Sequence, residues 1–259
     1  MDERYSLATG APGRRRLEIL NEAMWPRSRR LLRAAGLRKG MSFLDVGCGV
    51  GALTARVAEL GVDAMGVDAN EGFIQAARHR HPSIRFERID VRDLAFIERK
   101  FDLVYARYLL SHLADPAAAI ASMIAATKPG ARVVLEDIDF DLHVAEPRTA
   151  AFDRYLEWYE VVVRRRGGDP YLGRKLYRLA LDAGLDPVRA DVQITLLPEG
   201  ETKRISSLTL DGIKEALVAE GMASAEEIEK VLAELLELED DQKSLISGAG
   251  THQVWGRVR

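Results

Sequence analysis

The residues whose types and spacing carry the most chemistry are Asp45-Val46-Gly47-Cys48-Gly49-Val50-Gly51, which follow a short apolar run starting at Phe43. Glycines lack a Cβ, so the backbone there can turn sharply and approach a ligand closely. A helix starting at Ala52 would aim its free N–H groups and positive dipole end at that ligand. Such a loop can also merely join a strand to a helix. Gly47, Gly49 and Ala52 even fit a dinucleotide fingerprint of the G-x-G-x-x-A kind. Other acidic positions narrow the choice. Asp45 precedes the glycines inside the strand, where dinucleotide binders need no acid. Asp68 and Asp90 end the next two expected strands. A carboxylate at the first can accept both hydroxyls of a ribose, and one at the second can accept an adenine amino proton. Either could instead be a helix cap.

The elements that must position these residues follow from hydrophobic periodicity. Strands are expected at Phe43–Val46, Val62–Val67, Ile84–Ile89, Phe101–Tyr105 and Ala131–Glu136. Helices alternate with them: residues 14–36 with a break or kink at Pro26, Ala52–Leu60 ending at Gly61, one capped by Asn70, and one opened by Asp115-Pro116 that ends near Lys128-Pro129-Gly130. This alternation implies βαβ units and a doubly wound parallel α/β sheet whose ligand lies beyond the carboxyl ends of the strands. Further along, helices are expected at Ala151–Arg166 and Leu176–Ala183, and strands at Val188–Leu196 and His252–Val258. Residues 201–247 read as a helical insertion whose second helix opens with a Ser224/Glu227 capping box. Three parts result: an N-terminal helical lid (1–40), a core (41–145), and a C-terminal part (146–259) with acceptor-covering insertions at about 146–170 and 201–247.

Composition bounds the function. The chain has 259 residues, 47% hydrophobic and 30% charged, with a net charge of −3. That balance gives no electrostatic reason to expect nucleic acid as a partner. Arg14-Arg15-Arg16 and Arg164-Arg165-Arg166 sit beside acidic residues in helical patterns and read as solvated helix faces. One cysteine allows no internal disulfide, and the acidic start lacks an apolar leader, so a cytoplasmic setting without a membrane span is expected.

On Phe43–Gly51, Val67-Asp68-Ala69, Ile89-Asp90-Val91, Phe101–His112 and Lys128-Pro129-Gly130, the chain resembles the class I S-adenosylmethionine (SAM)-dependent methyltransferases, of the type found in ubiquinone and menaquinone biosynthesis and natural-product tailoring. The resemblance covers about residues 40–140 and implies a Rossmann-like seven-stranded sheet with the last strand antiparallel. It implies that Gly47, Cys48 and Gly49 line the methionine part of SAM and that Asp45 lies near its ammonium. It further implies that Asp68 holds the ribose hydroxyls, that Ala69, Asp90 and Val91 surround the adenine, and that Ala106 and Arg107 lie beside the methionine end. Tyr5 is expected to act from the lid.

The acceptor is less legible. Ala106-Arg107-Tyr108-Leu109 is not the loop of adenine or glutamine N-methyltransferases, and Cys48 is not placed as a cytosine-C5 nucleophile. A small-molecule acceptor, methylated at oxygen or nitrogen, is the expectation, with a homodimer as one assembly and a bacterial source from the arginine- and alanine-rich composition. His112 is a candidate base, its near-neutral pKa suiting the task, or else a packing residue. Glu136, Asp137 and His143 are expected on the acceptor side. No metal is expected, because the spacing matches no fixed metal motif, and His79 and His81 read as surface residues. The alternatives are an NAD-dependent oxidoreductase and a non-catalytic SAM-binding regulator.

Overall fold

β1 (Ser42–Val46) is buried along its whole length, as an interior strand of a sheet must be. In the computed structural model, which describes the backbone of residues 11–259 and the side chains of residues 15–259, seven strands form one sheet in the order β3-β2-β1-β4-β5-β10-β7. β2 (Asp63–Asp68), β3 (Arg85–Arg88), β4 (Phe101–Arg107) and β5 (Thr127–Asp139) join β1 in parallel. β10 (Gly250–Arg257) runs antiparallel to both β5 and β7 (Val188–Gln193), so the antiparallel last strand is present.

Side-chain alternation divides the core into two layers. Phe43, Leu103 and Tyr105 face the C-terminal part of α1 (Ala11–Ala34) and α2 (Ala52–Ala58). Leu44, Val46, Val104 and Ala106 face α4 (Pro116–Ala125) and, farther along, α6 (Leu176–Asp182). Each fully buried Phe, Leu or Val side chain here contributes about 1.5–3 kcal/mol. α3 (Glu71–Arg80) starts as expected, with the Asn70 side chain accepting the Phe73 N–H at 3.0 Å.

Several boundaries differ from expectation. α1 continues through Pro26 without ending, although proline removes a helix hydrogen bond. Ile19, Asn21 and Met24 before it and Ser28, Leu31 and Leu32 after it are all buried, so tertiary packing overrides the local penalty. α4 ends at Ala125, and Lys128-Pro129-Gly130 already belongs to the first part of β5. The strand expected over Val188–Leu196 is divided. β7 stops at Gln193, and β8 (Leu196–Leu197) joins β6 (Ala145–Glu146) and β9 (Leu245–Ser247) in a second sheet of order β6-β9-β8.

The remaining helices, α5 (Ala150–Arg165), α7 (Ile205–Ala219) and α8 (Ala225–Asp240), share their own apolar cluster. α8 opens on the expected capping box, with Ser224 and Glu227 each accepting the other's backbone N–H. Among the described residues no helix is long and apolar enough to cross a membrane.

Candidate functional site

The carboxyl ends of the parallel strands open into one cavity. Asp45, Gly47, Cys48, Gly49, Asp68, Ala69, Asp90, Val91, Arg107, His112 and His143 all line it. Tyr5 lies outside the described residues. Ala106, Glu136 and Asp137 are absent from the cavity wall, and each has a physical reason to be elsewhere.

The glycine loop is shaped as its residue types require. Gly47, Gly49 and Gly51 take φ values of 74°, 55° and 78°, a region costly for residues with a Cβ. Gly47 and Cys48 donate their N–H groups to the Val67 carbonyl, pinning the loop to the end of β2. A methyl group built on Gly51 would come within 2.6 Å of the Phe86 ring. Burial pushes the Cys48 thiol well above its ordinary pKa, so it stays protonated.

Asp68 sits at the end of β2 with both oxygens occupied on one side: Oδ2 accepts the Gly49 N–H at 2.9 Å and Oδ1 the Asn70 N–H at 2.8 Å. Burial raises its pKa, and these two donors oppose the rise. Asp90 is a cap that also borders the cavity. It lines the cavity, caps the 3-10 turn Val91–Phe96 through the Arg92 N–H, and pairs with the Arg92 guanidinium at 2.5 Å. Asp45 accepts the Thr54 hydroxyl at 2.6 Å, and burial raises its carboxyl to about 6 against the pull of Thr54 and Arg107.

Arg107 reaches across to α1, donating to Ser28 Oγ at 3.1 Å and Asn21 Oδ1 at 2.9 Å. Its guanidinium also lies 5.6 Å from the Tyr108 ring centre. Tyr108 is the one non-glycine residue with positive φ among the described residues, at 55°. Such strain persists where surrounding structure imposes it: the Tyr108 N–H donates to the Glu136 carbonyl, and its hydroxyl meets Thr251 Oγ1 at 2.8 Å.

The three displaced expectations are corrected by packing. Ala106 projects into the layer facing α4, where it is buried. Glu136 is buried and accepts the Tyr105 hydroxyl at 2.7 Å and the Gln253 amide at 3.1 Å. Asp137 accepts the N–H groups of Ser111 at 3.0 Å and Ile138 at 2.8 Å, and burial raises it to about 6. Glu136 thus links neighbouring strands of the sheet and Asp137 holds the turn at Ser111, and neither lines the cavity.

His112 ends a single 3-10 turn, Leu110–His112. Burial, reinforced by Arg16, lowers its pKa to about 4, so the near-neutral value expected from sequence does not hold. Burial likewise lowers His143 to about 3. Its Nε2 lies 3.4 Å from Ser206 Oγ, and its ring stands edge-on to Phe152 with centres 5.0 Å apart.

Sequence reasoning expected a lid over 1–40 and covering insertions at about 146–170 and 201–247, but missed which of their residues wall the cavity. Leu17, Leu20, Asn21 and Met24 of α1 cover the loop, and a methyl group built on Gly49 would sit 3.4 Å from Leu17. Asn21, a polar residue on an apolar helix stripe, was the available signal. Phe140, Tyr155, Tyr159 and Thr209 close the far end. Nothing in their periodicity separates them from ordinary core.

The donor set suits SAM. A carboxylate at the end of β2 is of the type that accepts ribose hydroxyls, glycine backbone borders the cavity, and a guanidinium hydrogen-bonded to neutral partners is available for a carboxylate. A family profile described as "Methyltransferase domain" matches residues 18–190. The chain is 31% identical over 121 residues to a demethylmenaquinone methyltransferase of Renibacterium salmoninarum, covering 46% of this chain and 51% of that protein. It is 26% identical over 222 residues to the O-methyltransferase resE of Aspergillus sclerotiorum, covering 80% and 81%. The chain spans about half the length of the first curated relatives it matches, between 46% and 58%. Its fold superposes with a TM-score of 0.58 and 16% identity on Haemonchus contortus phosphoethanolamine N-methyltransferase 2, solved with phosphomonomethylethanolamine and S-adenosylhomocysteine, covering 93% of this chain and 56% of that one. With its glycine loop, the acids at its strand ends and a methyltransferase-domain profile matching residues 18–190, the chain belongs to the class I SAM-dependent methyltransferases.

Proposed function

We propose that this protein transfers the methyl group of SAM to an oxygen or nitrogen atom of a small-molecule acceptor. One observation carries the reading: a single cavity joins the glycine loop, Asp68 and Arg107 to a chamber walled by Phe140, Tyr155 and Tyr159. Cofactor and acceptor can therefore share one cavity. SAM, when bound, supplies an electrophilic methyl on a sulfonium. The chain's own task is to position the acceptor in line and exclude water.

In this reading Asp68 holds the ribose, Asp90 and Val91 flank the adenine, and Arg107 faces the methionine carboxylate. Asp45, reached by Thr54, lies near the ammonium. α1 covers the loop as a lid. His112 and His143, kept neutral by burial, offer lone pairs to an acceptor hydroxyl or amine. The relatives are named for acceptors as different as demethylmenaquinone and phosphoethanolamine, which supports a methyl acceptor of small size without choosing one.

Incubation with SAM and a panel of phenols and amines tests the activity. The expected result is S-adenosylhomocysteine together with a product one methyl group heavier. Tight SAM binding with no acceptor methylated across the panel would favour the regulator reading instead.

A further inference from the structure

The far chamber has a composition that the strand-end residues do not explain. Phe140 and Tyr159 stack with ring centres 4.2 Å apart at 21°, and Tyr155 stands edge-on to Phe140 at 5.9 Å and 69°. His143 meets Phe140 edge-on at 5.3 Å and 81°. Such walls suit a flat ring, which gains from both stacked and edge-to-face contact.

The charge in this chamber comes from Arg16. The sequence placed it with Arg14 and Arg15 on a solvated helix face, and Arg15 fits that reading by pairing with Glu18 and Glu201. Arg164, Arg165 and Arg166 fit it too, pairing with Glu160 and Glu220. Arg16 does not: it lines the cavity, and its Nε donates to the neutral hydroxyl of Thr209 at 3.2 Å. Among the described residues it forms no ion pair. The cavity's acids serve other partners. Asp45 holds Thr54, Asp68 holds two loop N–H groups, and Asp90 holds Arg92. A half-buried guanidinium that lines a cavity and has only a neutral hydroxyl as partner is a ready donor to an anionic group of a ligand.

Resting on the methyl-transfer reading, we propose that the acceptor is a planar aromatic acid: a ring bearing the hydroxyl to be methylated and a carboxylate held by Arg16. A cationic amine would meet repulsion from Arg16 and no free acid in the chamber. In the transfer, the phenolic oxygen forms the new C–O bond as the C–S bond breaks and its electron pair goes to sulfur. The phenolic proton leaves to solvent, by way of a cavity imidazole.

The test compares 3,4-dihydroxybenzoate, its neutral methyl ester and cationic tyramine as acceptors for the full chain, with SAM affinity measured alongside. The acid should exceed the ester and tyramine in kcat/KM by about tenfold or more, the scale of a lost charged hydrogen bond. Arg16→Met should erase that preference, Arg16→Lys should retain most of it, and SAM affinity should stay unchanged in both. An ester or amine used as well as the acid, a preference that survives Arg16→Met, or no binding of the acid in the presence of S-adenosylhomocysteine would overturn the aromatic-acid proposal while leaving the methyl-transfer reading intact. Loss of SAM binding by the natural chain would overturn that reading itself.

Discussion

Burial sets the charge of the site's titratable side chains, and this has a measurable consequence at His143. Its pKa is held at about 3 in the folded chain, against about 6.5 when unfolded. Below pH 6.5 the unfolded chain takes up a proton that the folded chain refuses. The stabilising effect is therefore complete above 6.5 and declines as pH falls toward 3. From pH 7 to pH 4.5 the natural chain should lose on the order of 2 kcal/mol more stability than His143→Gln. Urea denaturation at both pH values measures this, and equal losses would show that the ring is not sequestered. Asp45 and Asp137, raised to about 6, act in the opposite sense but equally in both proteins. His112 has a distinct signature. If its lone pair accepts the acceptor's hydrogen bond, His112→Ala should lower kcat roughly ten- to a hundredfold with little change in SAM affinity, and an effect confined to affinity would assign it to packing.

At the scale of elements, α1 and α8 make separate predictions. α1 lays Leu17, Leu20 and Met24 over the glycine loop, so bound SAM should slow amide exchange of residues in its first half. Exchange unchanged by SAM would deny α1 a covering role. The α8 capping box is local and stands apart from the site, so Ser224→Ala should cost about 1 kcal/mol in thermal or urea unfolding and leave SAM binding alone.

These elements also show where sequence reading succeeds. The strand–glycine–helix sequence at 43–58, the Asn70 cap and the Ser224/Glu227 box are local signals, set by residues a few positions apart. Of the break or kink expected at Pro26, the break is absent because burial contributed by distant residues carries α1 through it. Glu136 and Asp137 were misplaced for a related reason. Strand position gives the face, but the partners Tyr105, Gln253 and Ser111 come from other elements and claim both acids. Arg16 was hidden by its neighbours, because three consecutive arginines read as one surface until α7 supplied Thr209 beside one of them.

At the scale of the whole molecule, two cores meet at one cavity. The sheet with α1, α2, α4 and α6 builds the strand-end half, and α5, α7 and α8, with a cluster of their own, build the aromatic half. A ligand bridging the strand ends should stabilise the folded chain as a unit. At a SAM concentration a hundred times its Kd, mass action adds about 2.7 kcal/mol. The melting temperature should then rise by several degrees with SAM or S-adenosylhomocysteine, and not with NAD. The most direct measurement is a calorimetric titration of SAM and NAD into the natural chain and into Asp68→Ala. The account predicts SAM binding without NAD binding, and an affinity for SAM reduced at least about tenfold in Asp68→Ala, whose fold stays intact. NAD binding without SAM binding, or SAM affinity unchanged by the loss of Asp68, would contradict it.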